Sequence, residues 1–236
     1  MDQQMETMEP LERQPIIRMF HVSKRFEQKA ALLDVSLDIF PNDFIFLWGP
    51  SGAGKSTFLK LLYLGEPLSQ GQILVEGMNL SRINRKTIPQ LRQKFGVIFQ
   101  DFKLIPTKTV YENVALVLAA KGLKGSMIQK KVNQVLGMVG LGEKSDAYPL
   151  SLSGGEQQRA AVARAMVGEP GVILADEPTG SLDTASARTI MDLLDQFHAD
   201  GNTVIMATHD QSLLNRKQCR IFQLDGGRLV NITPGS

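Results

Sequence analysis

A buried strand that runs into a glycine-rich loop and then into a helix leaves a chain few folds to choose from. Phe44–Trp48 is a short continuous apolar run, as expected of a strand covered on both faces. Gly49-Pro50-Ser51-Gly52-Ala53-Gly54-Lys55-Ser56-Thr57 follows and matches G-x-x-x-x-G-K-[ST]. Lys55–Leu64 then reads as a helix. Each residue has a chemical reason. Glycines let backbone N–H groups converge on phosphate oxygens without a side chain in the way. The helix start adds unpaired N–H groups and the positive end of its dipole. Lys55 offers a mobile positive charge to the β- and γ-phosphates, and Ser56 offers a hydroxyl to Mg²⁺. A glycine-rich turn that merely precedes Lys-Ser would need neither the strand before it nor the helix after it.

The rest of the chain alternates in the same manner. Ile16–Val22 and Ala31–Phe40 read as strands, the second alternating at Leu33, Val35, Leu37 and Ile39, and Pro41-Asn42-Asp43 reads as a turn. Strands are expected at 72–76, 95–99, 171–175 and 203–207, with a hairpin of 220–224 and 228–230 around Asp225-Gly226-Gly227. Helices are expected at Val110–Ala120, 127–139, 155–167 and 186–198. Apolar strands alternating with helices predict an α/β fold, with a mainly parallel sheet and extra antiparallel strands near the N-terminus. The expected domain spans 16–230, between a flexible tail at 1–15 and a short tail at 231–236.

Val172-Ile173-Leu174-Ala175 is an apolar strand that ends in Asp176 and Glu177. Acids at a strand end commonly do no more than face solvent. Beside a phosphate loop, Asp176 can hold Mg²⁺ directly or through water, and Glu177 can polarise an attacking water. Ser153, Gly154 and Gly155 open another helix, and their N–H groups with the Ser153 hydroxyl make a second anion site.

Composition narrows the class. Lys and Arg total 26 against 24 acids, a net charge of +2, which gives no case for a nucleic-acid partner. The longest apolar run, Val114–Ala120, is too short to span a bilayer, and the acidic start of the chain is no signal peptide. Any membrane association is therefore expected through a partner. The single Cys219 fits a reducing compartment. The basic stretch Arg82, Arg85, Lys86, Arg92 and Lys94 reads first as a solvated face and second as a contact to a membrane or partner. No His/Cys metal cluster and no Ser/His or Cys/His nucleophile pair stands out, so Mg²⁺ is the one metal inferred.

Leu152-Ser153-Gly154-Gly155-Glu156-Gln157-Gln158-Arg159 resembles the signature of the ATP-binding cassette (ABC) family of ATPases. The resemblance implies a P-loop cassette with a RecA-like core sheet, an N-terminal antiparallel β subdomain and a helical signature subdomain at about 101–157. It makes Gln100 a Q-loop residue near the metal, Ser181-Leu182-Asp183 a D-loop, His209 the switch histidine that contacts the γ-phosphate, and Phe26 the aromatic that stacks on adenine. His21 and His198 have no such context. It also implies a head-to-tail homodimer. Ser153, Gly154, Gly155 and Glu156 of each chain then meet the ATP held by the other chain's phosphate loop.

The segment Phe99-Gln100-Asp101-Phe102-Lys103-Leu104-Ile105-Pro106-Thr107-Lys108-Thr109-Val110-Tyr111-Glu112-Asn113-Val114-Ala115 is similar to the FtsE branch of that family. That branch implies an ATPase on the cytoplasmic face of the bacterial inner membrane. Its polytopic partner FtsX would dock a coupling helix near Gln100–Tyr111, and ATP-driven movement would regulate peptidoglycan hydrolysis. A lipoprotein-release or macrolide-type exporter ATPase is the alternative that the shared motifs leave open.

Overall fold

The computed structural model describes residues 13–215 and 219–233. In chain order these are β1 (Ile17–Phe26), β2 (Lys29–Ile39), β3 (Phe44–Trp48), α1 (Lys55–Leu62), β4 (Gln70–Val75), β5 (Met78–Asn79), α2 (Ile88–Arg92), β6 (Phe95–Ile98), α3 (Val110–Ala120) and α4 (Gly125–Met138). They are followed by α5 (Gly154–Met166), β7 (Val172–Asp176), α6 (Thr184–Ala199), β8 (Thr203–Thr208), β9 (Arg220–Asp225) and β10 (Arg228–Thr233).

Two sheets form. A six-stranded sheet runs β10-β9-β3-β8-β7-β6. It is parallel from β9 to β6 and antiparallel only at the β10 edge. A four-stranded antiparallel sheet runs β2-β1-β4-β5. The period-2 alternation of β3 feeds a core on each face of the large sheet. Phe44 and Phe46 join Val114, Leu136, Ile173 and Met206 beneath α3–α6. Ile45 and Leu47 join Phe58, Leu61 and Leu174, over which the small sheet adds Ile17, Met19 and Ile39. Full burial of each such side chain stabilises the fold by about 1.5–3 kcal/mol. The parallel strands therefore end side by side at one edge, where ligands bind in open α/β sheets.

Several elements depart from the bounds expected above. β1 continues past Val22 to Phe26 through a bulge at which His21 and Asp34 both take positive φ (48° and 53°). The His21 N–H donates to Ser36 Oγ at 2.8 Å, and the Asp34 N–H donates to Ser23 Oγ at 2.9 Å. The hydroxyls satisfy groups that a regular ladder would pair. α1 stops at Leu62, because Leu64 turns left-handed (φ 53°) ahead of Gly65-Glu66-Pro67. β10 runs through Thr233, beyond the expected limit of 230, with Asn231 opposite Gln223 and Thr233 opposite Ile221. The expected tails otherwise fall largely outside the described residues. The short β5 and α2 were not expected. α3 begins at Val110 as expected, with a reciprocal capping box between Thr109 and Glu112.

Candidate functional site

The phosphate loop is held from both sides by backbone. A Cβ at Gly49 would stand 2.2 Å from the Leu224 carbonyl oxygen, and one at Gly54 would stand 2.4 Å from that of Ala31. Gly54 also needs its φ of 106°. Gly227, in the β9–β10 turn, donates its N–H to the Ala53 carbonyl at 3.1 Å, while its own carbonyl accepts from Leu33 N–H at 2.8 Å. Pro50, Ser51 and Gly52 are exposed at the tip. Lys55 is buried at the start of α1, with Nζ donating to the carbonyls of Gly49 (2.9 Å) and Pro50 (3.2 Å). Thr57 follows on the same helix.

β7 delivers the acids beside this loop. Ser56 Oγ donates to Asp176 Oδ1 at 3.0 Å. Burial pushes the Asp176 carboxyl above its usual range, against the Ser56 hydrogen bond and with the Glu177 charge adding to the rise. A nearby cation would relieve that penalty. The donor set fits Mg²⁺: a hydroxyl and one carboxylate from rigid elements, with room for phosphate oxygens. No group of three or more His, Cys, Asp or Glu side chains able to hold a metal occurs among the described residues. Glu177 sits at φ 46°, with its N–H held by the Ala207 carbonyl of β8 at 3.0 Å. Glu177 Oε1 lies 3.4 Å from Lys55 Nζ, and Oε2 lies 3.0 Å from His209 Nδ1. The structure thus gathers Lys55, Ser56, Asp176, Glu177 and His209 into one cluster. Gln100 is exposed beyond β6, whose Ile98 pairs with Ala175. That register puts it at the same sheet edge.

The signature residues form a separate cluster. Ser153 caps α5 and shares a reciprocal capping box with Glu156. Ser153 N–H and Oγ both donate to Glu156 Oε2, at 2.9 and 3.0 Å. Glu156 also pairs with Lys144, whose hydrogen bond, ahead of those from Ser153, draws its carboxyl down to about 2. Among the described residues no hydrogen bond or ion pair joins residues 153–156 to the Lys55 cluster. The D-loop braces the signature instead. Asp183 caps α6 through Ser186 N–H at 2.9 Å, and a Cβ on Gly155 would stand 2.4 Å from Ser186 Oγ. Leu182 lies against Gly154.

The capping box has a pH consequence. The folded Glu156 carboxyl stays ionised down to about 2, whereas its ordinary value is 4.5. The stability it adds is therefore present in full above the ordinary value and is lost as pH falls through the folded one. The melting temperature of Glu156→Gln should fall less steeply across that acid window than the parent's.

Phe26 is partly exposed at the end of β1, and the Lys24 Nζ lies 4.5 Å from its ring centroid. Lys24 is itself buried and paired with Glu66 at 3.1 Å. Sequence reasoning passed over Lys24, and over two buried amides. Asn113 accepts from Ile105 N–H at 2.7 Å and donates to the carbonyls of Ile105, Lys108 and Thr109. Gln158 donates to the Pro178 carbonyl at 2.7 Å. The available signal was a polar residue on the apolar face of a helix.

Comparisons with known proteins show the family and the fold. A family model described as ABC transporter matches residues 32–180. The cell division ATP-binding protein FtsE of Streptococcus pneumoniae (strain D39) is 44% identical over 216 residues, covering 91% of this chain and 94% of that protein. FtsE of Mycobacterium tuberculosis is 45% identical over 217 residues, covering 91% and 94%. FtsE of Escherichia coli K12 is 45% identical over 215 residues, covering 91% and 97%. Among solved structures, the dimeric post-hydrolysis state of the ATP-binding cassette MJ0796 bound to ADP and Pi superposes with a TM-score of 0.86 at 33% identity, over 92% of this chain and 98% of that one.

Proposed function

This chain belongs to the ABC transporter family and is an ATPase of the cassette type, and we propose that it is the FtsE-type subunit of a bacterial cell-division complex. The observation that carries the reading is 44–45% identity to the FtsE proteins of three bacteria over 91% of the chain. Two copies close head to tail on two ATPs. The closing and opening pull on a polytopic membrane partner of the FtsX kind and so regulate peptidoglycan hydrolysis. The cassette works at the cytoplasmic face of the inner membrane; no helix among the described residues is long and apolar enough to cross it.

The reaction is ATP plus water to ADP and phosphate. Backbone N–H groups of residues 49–57 cradle the phosphates, and Lys55 exchanges the Gly49 and Pro50 carbonyls for phosphate oxygens. Ser56, Asp176 and Gln100 would hold Mg²⁺, which supplies charge to the developing phosphate oxygens. Glu177 Oε2, already bonded to His209, orients the attacking water and takes its proton, while His209 reaches the γ-phosphate. Phe26 stacks on adenine with its ring held by Lys24. Ser153, Gly154 and Gly155 add hydrogen-bond donors from the second chain. Glu156 steadies them by completing the capping box with Ser153.

The surface offered to the partner is the segment from Gln100 to Tyr111. Asn113 fixes its Ile105–Thr109 part, and Arg164 of α5 donates to the carbonyls of Phe102 and Lys103, both left-handed. Ile105 is exposed there. Of the basic stretch, Arg92 donates to the Tyr63 and Leu64 carbonyls and Lys94 pairs with Glu76, so only Arg82, Arg85 and Lys86 remain for a membrane or partner. Affinity purification from detergent-solubilised membranes is expected to bring down a polytopic protein, and depletion of the chain should block division. Recovery of a lipoprotein-release or macrolide-type permease instead would assign the chain to export.

A further inference from the structure

α5 meets the catalytic turn through one buried polar contact. Gln158 is fully buried, and its Nε2 donates to the Pro178 carbonyl at 2.7 Å. Among the described residues its Oε1 has no hydrogen-bond partner. A buried amide oxygen left unpaired is costly, so an apolar side chain would serve better if Gln158 only filled space. Pro178 follows Glu177, which stands in the left-handed region at φ 46°. A residue with a Cβ persists there only where its surroundings over-determine it. The Ala207 carbonyl holds the turn on one side through the Glu177 N–H. Pro178 has no N–H, so its carbonyl is the polar handle on the other side.

We propose that Gln158 is a positioning residue: through the Pro178 carbonyl it holds the Glu177 turn in its working shape. The helix that begins at Ser153 thereby also sets the geometry of the acid in its own chain. The inference rests on the reading of Glu177 given above. Ser186 packs so closely on Gly155 that a Cβ there would stand 2.4 Å from its Oγ, which leaves little slack between α5 and the start of α6. A shift of α5 when its N-terminus meets the partner chain's nucleotide is therefore passed to Pro178 and to the adjoining acid.

The test uses the full chain carrying Gln158→Met or Gln158→Glu, with steady-state ATP hydrolysis and thermal melting measured together. Met keeps the volume and removes the donor. It should lower kcat by about tenfold or more, because small misplacements of a catalytic group are expensive. KM for ATP should stay within about twofold, and melting should change little, since a hydrogen bond and an orphan oxygen are lost together. A buried carboxyl stays protonated and can donate to the Pro178 carbonyl, so Gln158→Glu should recover turnover above Gln158→Met. Parent-like kcat in the Met variant, a Glu variant no better than Met, or a fall in kcat that only tracks lost stability would each overturn the proposal. Glu177→Gln assayed alongside separates the two levels: a parent-like rate there overturns the reading of Glu177 itself.

Discussion

Glu177→Gln is expected to bind ATP as well as the parent and to hydrolyse it about 10²–10⁴ times more slowly, the range over which positioned proton acceptors act. Gln keeps the shape of the side chain and its contact with His209, but it can no longer take a proton. Removing the charge 3.4 Å from Lys55 Nζ also frees that ammonium for the phosphates. Binding should therefore hold or tighten while turnover fails. Size-exclusion chromatography with ATP and Mg²⁺ should then show an accumulated dimer, with ATP as the bound nucleotide. Hydrolysis at the parent rate would remove Glu177 from its role and leave His209 as the candidate.

Ser153→Arg is the second large effect. The exposed cap lies outside the Lys55 cluster, so ATP affinity of the single chain should be unchanged. The substitution forfeits a capping hydroxyl, at about 0.5–2 kcal/mol, and sets a long cation at the positive end of α5. In the proposed head-to-tail pair, that side chain would take the room of the triphosphate. ATP-dependent dimerisation should vanish and turnover should fall to the level of the isolated chain. Thermal melting is the control for folding: Ser153→Asp can still accept from the Glu156 N–H, but its charge faces the carboxylate that the Ser153 hydroxyl now bonds, so it should melt modestly below the parent, stay folded and still fail to pair. Normal pairing in both variants would end the sandwich reading.

The parts of the site legible beforehand are those with a local signature. β3 could be bounded because a strand buried on both faces is apolar throughout, and the start read for α3 holds because Thr109 and Glu112 cap it there. The phosphate loop, Asp176 with Glu177, and Ser153 as a helix start were readable because their chemistry dictates residue type over a few adjacent positions. The meeting of Ser56 with Asp176 and of Glu177 with His209 follows from parallel strands that end together, which only the structure lays out. What stayed hidden is polar and distant in sequence. Nothing near Lys24 announces Glu66, and nothing near Gln158 announces Pro178. β1 ran long because serine hydroxyls rescued an irregular ladder, and β10 ran long because an edge strand needs no apolar alternation. The contacts of Glu156 with Ser153 and Lys144 of its own chain were likewise not read from the sequence.

Gly227 gives the phosphate loop a dependence on the order of synthesis. The turn that ties Ala53 to Leu33 leaves the ribosome well after the loop it holds. A nascent polypeptide can pair β1 with β2 early, but its triphosphate cradle lacks this clasp until translation has passed position 227. The clasp therefore closes on the loop only after Ser153, Glu177 and His209 have all been made.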